Sequence, residues 1–265
     1  MIETQSRRFF DRNLFNNWVA ANAIGLPAAA GTSGAAIALI IFILAEFAGE
    51  APSEMGTMER LGLTFLGIFS AGLLGVWGGG SVLMLASALG GRLVGETVGY
   101  PLLGPPLMGS MILAVAGAVI GLGHWVVLRP HLHQSGWWVL TNIVGWAVAG
   151  LVPGIVVNSP DRVSSQTPFY EVVSSMGAYG PLIILGLVVG TVGGGVSGVL
   201  QWFILWWNGY RVRWWVGASV GGWALGGAIA TAAVGGAGVL LGGMIAGVIT
   251  GVPLNWSLRH PPPEM

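Results

Sequence analysis

The sequence predicts an all-α protein, a polytopic transmembrane helix bundle of about eight spans that is built partly from repeated two-helix hairpins. Hydrophobic residues make up 54% of the 265 positions, and the mean hydropathy is +0.78. Only 8% of the residues are charged, whereas a soluble domain carries about 25%. These values exclude a water-soluble globular protein. We expect residues 1–265 to form a single integral membrane domain, because no stretch between the apolar segments is long enough for a second domain.

Charge and cysteine content exclude several classes of function. All ten cationic residues are arginine and are balanced by ten Asp and Glu, so the chain has no basic field that could bind nucleic acid. The chain has no cysteine, which removes thiolate metal sites, iron–sulfur clusters and cysteine nucleophiles.

Apolar segments near the 20-residue length of a membrane-spanning helix occur in succession along the chain. Pro27 and the stretch Gly31–Gly34 interrupt the first long apolar run, which predicts two short helices there instead of one. Gly235 to Gly238 predict a tight turn in the last run. The predicted spans are 14–31, 33–49, 60–80, 106–128, 137–157, 181–206, 214–232 and 237–254.

The arginines predict the orientation of these spans, because cytoplasmic loops carry the excess of positive charge. With eight spans and both termini in the cytoplasm, eight of the ten arginines are cytoplasmic, and only Arg92 and Arg162 are external. Residues 81–105 and 158–180 are then external connections. The predicted location is a bacterial cytoplasmic (inner) membrane, with the lipid bilayer as the first partner.

An internal repeat joins two parts of the chain. Residues 117–150 align without a gap onto 194–227, and about a third of the aligned pairs are identical. Partial copies lie near 18–25 and 247–259, so the last predicted helix resembles the first half of a hairpin and the first helix resembles the second half. If these two helices pair, the chain closes a ring of hairpins. The segments 33–49 and 60–80 lack the tryptophans of the repeat, and their membership in it stays open.

The repeat has the pattern Gly-x-x-x-Gly-x-x-[His/Gln]-Trp-x-x-Leu, followed by Trp-Trp-Val and Gly-Trp. This pattern resembles a loose group of bacterial multi-pass membrane proteins with Gly/Trp-rich hairpin repeats and no assigned biochemical activity. The resemblance covers the two full copies and the two chain ends. It implies no catalytic residues.

Glycine accounts for 46 residues and recurs at i and i+4 in the repeated helices. Small residues at this spacing allow close helix packing in lipid. A glycine-lined pore is the alternative. The glycines assigned to helix packing are Gly117, Gly121, Gly194, Gly198, Gly247 and Gly251.

Tryptophans cluster near the predicted cytoplasmic face, where an interfacial aromatic belt explains them. A platform for a quinone, carotenoid or chlorophyll ring is the alternative. The ten residues are Trp18, Trp125, Trp137, Trp138, Trp202, Trp206, Trp207, Trp214, Trp215 and Trp256.

His124 shares one helix face with Gly117, Gly121 and Leu128, so its imidazole is expected to point at a neighbouring helix. Gln201 occupies the same position in the second copy, which favours hydrogen bonding. Ligation of haem or of chlorophyll magnesium makes His124 a candidate cofactor-binding residue, and proton handling is the third alternative.

Matched depths from the cytoplasmic boundary predict two polar bridges, one from His124 to Asn142 and one from Gln201 to Ser219. At the chain ends the bridge should fail. Asn22 there faces Leu254, with Asn255 as the nearest polar substitute.

Glu46 is the carboxylate expected inside the apolar zone, and it is either a functional residue or an interfacial one. His131 and His133 lack a nearby third ligand, so no metal site is predicted. No enzyme motif is present, which predicts a protein that is not an enzyme.

The predicted function is a non-catalytic integral subunit within a larger membrane assembly, of respiratory or photosynthetic type. Its partners are other membrane subunits or a second copy of the chain. One alternative is a channel or secondary carrier for a small solute or ion, supported by the repeat and by Glu46. Another is a pigment- or haem-binding protein acting through His124. Lipid is the expected ligand, and pigment or haem is the possible cofactor.

Overall fold

The structure, a computed structural model, describes residues 11–47, 104–157, 175, 180–210, 212–232 and 236–259. Within these ranges, only the backbone is described for residues 31–47, 104–105, 153–157 and 236. The described residues form six α-helices and no strand. The described part of the chain is therefore all-helical, as predicted. The helices are α1 (Arg12–Phe47), α2 (Gly104–Leu128), α3 (Trp137–Val157), α4 (Gly180–Trp207), α5 (Trp215–Ala232) and α6 (Gly236–Arg259).

The six helices close into a ring in chain order. Each helix packs against the one before it and the one after it, and α6 returns to pack against α1. The predicted contact between the last and first helices is confirmed. A methyl group placed on Gly247 of α6 would lie 2.9 Å from Cβ of Asn22, and one on Gly251 would lie 3.0 Å from the Trp18 ring. Gly25, at the end of the partial copy 18–25, instead lies beside Ile120 of α2.

Helix α1 corrects the prediction of two short helices over 14–31 and 33–49. It is one continuous helix of 36 residues, and it contains Pro27. Proline removes one backbone hydrogen bond without ending the helix, and neighbouring helices make such losses tolerable in a membrane protein.

Three described helices are long and apolar enough to cross a membrane, namely Pro106–Leu128, Gly180–Trp207 and Ala237–Arg259. The stretch Trp137–Val152 is a shorter apolar helix. The protein is thus a helical protein with candidate membrane spans. The predicted span 60–80 and most of both predicted external connections lie outside the described residues.

Short connections join α2 to α3 and α4 to α5. In the second connection Gly209 has a φ of 83°, and the Tyr210 N–H donates to the Leu205 carbonyl at 2.9 Å. This is the left-handed helix ending that glycine favours. After α2, the Leu132 N–H donates back to the Leu128 carbonyl at 2.9 Å. Both connections therefore turn tightly at the same end of the ring.

Asp11 joins the start of α1 to the end of α6. Its carboxylate accepts the N–H groups of Asn13 and Leu14 at 3.0 and 3.1 Å, which caps α1. It also pairs with Arg259 at 3.3 Å. The Asn255 side chain exchanges two hydrogen bonds with the Asp11 backbone. We call this end of the molecule, which also carries Arg12, Arg129 and Arg213, the arginine end.

Candidate functional site

Three tryptophans meet inside the ring near its arginine end, and we call them the tryptophan triad. Trp18, Trp138 and Trp215 come from α1, α3 and α5 and are at most 1% exposed. Their ring centroids lie 5.6–6.2 Å apart, with the planes at 66–88° to each other. Edge-to-face packing of this kind is favourable for aromatic rings. The triad, surrounded by Leu128, Leu205 and Leu254, therefore closes the interior of the ring at this level.

The triad corrects the assignment of all ten clustered tryptophans to an interfacial belt. Trp137 and Trp214 are 57% and 81% exposed, as a belt requires, but the residues that follow them, Trp138 and Trp215, are buried. Successive helical side chains point about 100° apart, so the second ring of each of these two pairs turns inward while the first faces outward. In the sequence, these adjacent tryptophans are the pattern that could have indicated the triad.

His124 lies directly against the triad. Its imidazole stacks on Trp18 at a centroid distance of 4.1 Å and an interplanar angle of 16°. The Nε2 atom lies 3.1 Å from Oδ1 of Asn22, and the residue is 2% exposed. His124 therefore joins α2 to α1. Its Nδ1 atom is buried without a hydrogen-bond partner in the described part of the chain.

The predicted bridge from His124 to Asn142 is not formed. The Asn142 amide donates to the Trp138 carbonyl of its own helix at 2.8 Å, and its Oδ1 is buried without a partner among the described residues. Matched depths identify a partner for His124 only within the hairpin of α2 and α3. In the closed ring α2 has a second neighbour, α1, and Asn22 offers an acceptor at the same level.

The predicted bridge from Gln201 to Ser219 is also not formed. Gln201 is 4% exposed, but the Ser219 hydroxyl donates to the Gly194 carbonyl at 2.8 Å. Serine is shorter than asparagine and reaches the facing backbone, which glycine leaves uncovered. Asn255 does not substitute at the level of Asn22, since its side chain binds the Asp11 backbone.

The six glycines assigned to packing all lie at helix contacts. A methyl group on Gly117 would lie 2.5 Å from the Asn142 carbonyl oxygen, and one on Gly194 would lie 2.6 Å from that of Ser219. For Gly121 and Gly198 the nearest atoms, at 2.8 and 2.7 Å, belong to Val139 and Ser219. Side chains of any size would force these helices apart.

A cavity of about 90 Å³ lies inside the ring, on the side of the tryptophan triad that faces away from the arginine end. Residues of all six helices line it, and they include Trp146 and Trp223, whose rings meet at 4.9 Å and 87°. The lining is apolar apart from Thr231 and the two indoles. The sequence predictions did not include this cavity, because it depends on how the helices are arranged.

Three further candidate residues were singled out in the sequence, namely Glu46, His131 and His133. Glu46 lies in α1, and its side chain is outside the described residues. His131 and His133 are exposed on the connection between α2 and α3. No group of three His, Cys, Asp or Glu residues comes together in the described parts of the chain.

Comparison with protein families, curated proteins and solved structures finds no match to this chain.

Proposed function

We propose that this protein is a non-catalytic integral membrane subunit whose helix α5 packs against a transmembrane helix of another membrane protein. The observation that supports this is a gap on the outer face of α5. No described atom lies within 4 Å of a methyl group built on Gly217 or Gly221. Trp214 and Leu225, which are 81% and 50% exposed, flank these glycines on the same face. We call this surface the α5 notch.

The α5 notch stands out against the other glycines of the ring. At Gly117, Gly194 and Gly247 the missing side chain is what lets a neighbouring helix approach. Glycine in a helix costs about 0.5–1 kcal/mol relative to alanine, and close packing offsets that cost. Two glycines one turn apart without such a neighbour therefore favour a partner helix that the described chain does not supply.

Helix α3 provides an internal comparison. The residues that align with Gly217 and Gly221 are Leu140 and Val144, which are 45% and 39% exposed. Large apolar side chains of this kind suit a surface that faces lipid. The difference between the two helices supports a specific protein contact at α5.

The ring interior supports a packing role over a route for a solute. The tryptophan triad fills the axis at one level, and the cavity beyond it is lined by apolar groups. A pathway for ions requires polar groups or water along its length. The carrier alternative rests on the internal repeat and on Glu46, and the side chain of Glu46 is not described.

A haem or chlorophyll bound through His124 does not fit the described surroundings. Trp18 covers one face of the imidazole, and Asn22 occupies Nε2. His124 does not line the central cavity, and its free Nδ1 atom is fully buried. These contacts favour the interpretation of His124 as a hydrogen-bonding and packing residue.

The proposal includes three hairpins of one repeated design, α2 with α3, α4 with α5, and α6 with α1. The three tryptophans of the triad occupy equivalent positions in these hairpins, and the contact among them supports the repeated design. The arginine end would face the cytoplasm, since described arginines gather there. Respiratory and photosynthetic assemblies are the class in which such small helical subunits are expected.

The proposed interface can be tested with a photo-crosslinking amino acid at position 217 of the full chain in its native membranes. We expect an adduct with a different membrane protein, identified by mass spectrometry. Substitution of Gly221 by Leu should abolish the adduct, because it fills the α5 notch. Ala20→Leu is the matched control, since it enlarges an exposed residue on α1 and should leave the adduct unchanged.

Two outcomes would contradict the proposal of a hetero-assembly. An adduct of twice the 27.4 kDa mass would show self-association through α5. An adduct without a change of mass would show that another segment of the same chain covers the notch.

A further inference from the structure

A groove of about 740 Å³ runs along the outer surface of the ring where α1 meets α2. Its length along α1, from Asn13 to Ala28, is fifteen residues or about 22 Å. Ile24 of α1 and Val126 of α2 line the groove and are 68% and 52% exposed, so it opens to the surroundings of the ring. The groove is therefore separate from the central cavity and from the α5 notch, and we call it the α1–α2 groove.

The lining of the α1–α2 groove changes from polar to apolar along its length. Asp11, Asn13, Asn17 and His131 line the part at the arginine end. Beyond them every lining residue is apolar, namely Ala20, Ala21, Ile24, Gly25, Ala28, Val119, Gly123, Val126 and Val127. A molecule with a polar head and a hydrocarbon tail matches this order, and a lipid bilayer supplies such molecules.

The contacts between successive hairpins explain why a groove forms between α1 and α2. Gly25, Gly145 and Gly222 occupy equivalent positions in α1, α3 and α5. A methyl group on Gly145 would lie 2.7 Å from Ser197 of α4, and one on Gly222 would lie 3.3 Å from the nearest atoms of α6. On Gly25 the nearest atom, in α2, would be 3.7 Å away. Helices α1 and α2 are therefore less closely packed at this position than the other two pairs.

Gly123 leaves further space on the α2 side of the groove. A methyl group built there would lie 3.6 Å from Ala21, which is an ordinary contact distance, so alanine would fit. The equivalent residues in α4 and α6 are Leu200 and Pro253. Glycine destabilises a helix relative to alanine, and no close helix approach requires it at this position. The absent side chain instead keeps the groove deep where its lining is apolar.

The width of the groove excludes a helix as its occupant. Its volume and length give a mean cross-section of about 34 Å². An α-helix with its side chains has a diameter of about 10–12 Å and therefore a cross-section of about 80–110 Å². An extended hydrocarbon chain is thinner, because its atoms contact their neighbours at about 3.5–4.0 Å. The groove is thus suited to a lipid chain.

Charge at the arginine end indicates the class of headgroup. Asp11, the carboxylate of the lining, is paired with Arg259 at 3.3 Å. Arg12 and Arg129 are exposed, and each is adjacent in sequence to residues that line the polar part of the groove. Basic pockets between membrane helices on the cytoplasmic side bind acidic lipid headgroups. The polar part of the groove therefore favours an acidic headgroup over a neutral one.

We propose that the α1–α2 groove binds one acidic phospholipid of the bilayer. One of its hydrocarbon chains lies along Ala20, Ile24 and Gly123, and its phosphate lies at Asn17 and His131, beside Arg129. The proposal does not depend on the partner assigned to α5, because the α5 notch lies on a different helix and shares no residue with the groove.

Native mass spectrometry of the full chain tests the site. The protein is purified in a mild detergent, depleted of lipid, and titrated with palmitoyl-oleoyl phosphatidylglycerol or with phosphatidylcholine that has the same chains. We expect one phosphatidylglycerol to bind with an affinity at least about fivefold higher than that of the first phosphatidylcholine, the factor that one arginine contributes near a membrane surface. Because the chains are identical, this ratio measures the headgroup alone.

Gly123→Leu should reduce the affinity for both lipids at least about tenfold, because it fills the groove with the residue found at the equivalent position of α4. Ala20→Leu obstructs the groove from α1, and it serves if the first variant does not fold. Gly221→Leu is the matched control, because it enlarges a glycine in the α5 notch, outside the groove. It should leave both affinities unchanged.

Arg129→Gln should lower the affinity for phosphatidylglycerol about fivefold and leave that for phosphatidylcholine unchanged. Arg213→Gln is its control, because it removes an exposed arginine of the same end from the connection between α4 and α5. The proposal is overturned if the wild-type protein binds the two lipids equally, or if both groove-filling variants bind phosphatidylglycerol as tightly as the wild type. Equal losses from Arg129→Gln and Arg213→Gln would overturn the location of the phosphate in the groove.

Discussion

At the scale of single residues, the contact between His124 and Asn22 is the clearest example of a polar pair within the described bundle. Its atoms are buried, and the imidazole stacks on Trp18. Hydrogen bonds between membrane helices contribute about 0.6 kcal/mol on average and up to about 1.7 kcal/mol. The pair should therefore hold α1 and α2 in register without dominating stability.

The pair can be measured by a double-mutant cycle of His124→Leu and Asn22→Leu. Each single change leaves the other polar group buried without its partner, so each should lower the free energy of unfolding by about 1–3 kcal/mol. The double variant should lose less than the sum, by about 0.6–1.7 kcal/mol. Unfolding in mixed micelles of mild and denaturing detergent provides the free energies.

The matched control is His131→Leu, which removes an exposed histidine from the connection between α2 and α3. It should change the free energy of unfolding by no more than about 0.5 kcal/mol. Additive effects in the cycle would contradict a direct interaction between His124 and Asn22.

At the residue scale, the polar residues of the two predicted bridges are buried, but the bridges themselves are not formed. His124, Gln201, Asn22, Asn142 and Ser219 are all buried, as the periodicity of their helices indicates. Which atoms they contact depends on the identity of the neighbouring helix. The identity of the neighbouring helix depends on distances between helices. The spacing of residues along a single helix does not encode those distances.

At the scale of helices, Asp11 connects the two ends of the described chain and makes stability depend on pH. The N–H of Leu14 is the main cause that holds the pKa of Asp11 below its ordinary value of 3.8, and Arg259 adds to the effect. A carboxyl with a lowered pKa stabilises the folded state above its ordinary pKa. That contribution is lost as the pH falls through the lowered value.

Asp11→Asn tests this contribution, because it keeps a capping oxygen for α1 and removes the charge. At pH 7 the variant should be less stable by about 0.5 kcal/mol, a small value because both side chains of the ion pair are partly exposed. The difference from the wild type should hold from pH 7 to 5 and shrink below pH 3.8. Free energies of unfolding at pH 7, 5 and 3 provide the measurement.

The control variant is Arg259→Gln in the Asp11→Asn background. With the carboxylate gone, loss of the guanidinium should have little further effect on stability at pH 7. A difference between Asp11→Asn and the wild type that is as large at pH 3 as at pH 7 would argue against titration of Asp11 as its cause.

At the scale of the whole molecule, orientation in the membrane is open to a direct test in a chain without cysteine. Gly136 is exposed at the arginine end, and Ala237 is exposed at the opposite end of the ring. The variants Gly136→Cys and Ala237→Cys therefore place one label site at each end. If the arginine end is cytoplasmic, a membrane-impermeant maleimide should label only Ala237→Cys in intact cells. Both variants should react after permeabilisation, which controls for accessibility.

The opposite labelling pattern would show that the ring has the opposite orientation in the membrane. Ser135, one residue earlier, is 6% exposed and would report burial by protein instead of protection by the membrane. Gly136 avoids this confusion, because no described atom lies within 4 Å of a methyl group built there.

The sequence by itself determined that the chain is helical, apolar along most of its length and rich in close-packing glycines, because composition and periodicity are properties of the chain alone. It also indicated that the last and first helices pair. The continuity of α1 through Pro27, the partner of His124, the inward turn of Trp18, Trp138 and Trp215, and the central cavity were decided by the tertiary structure. Each of these depends on which helices are neighbours in the ring, and that neighbourhood is set by the simultaneous packing of all of them.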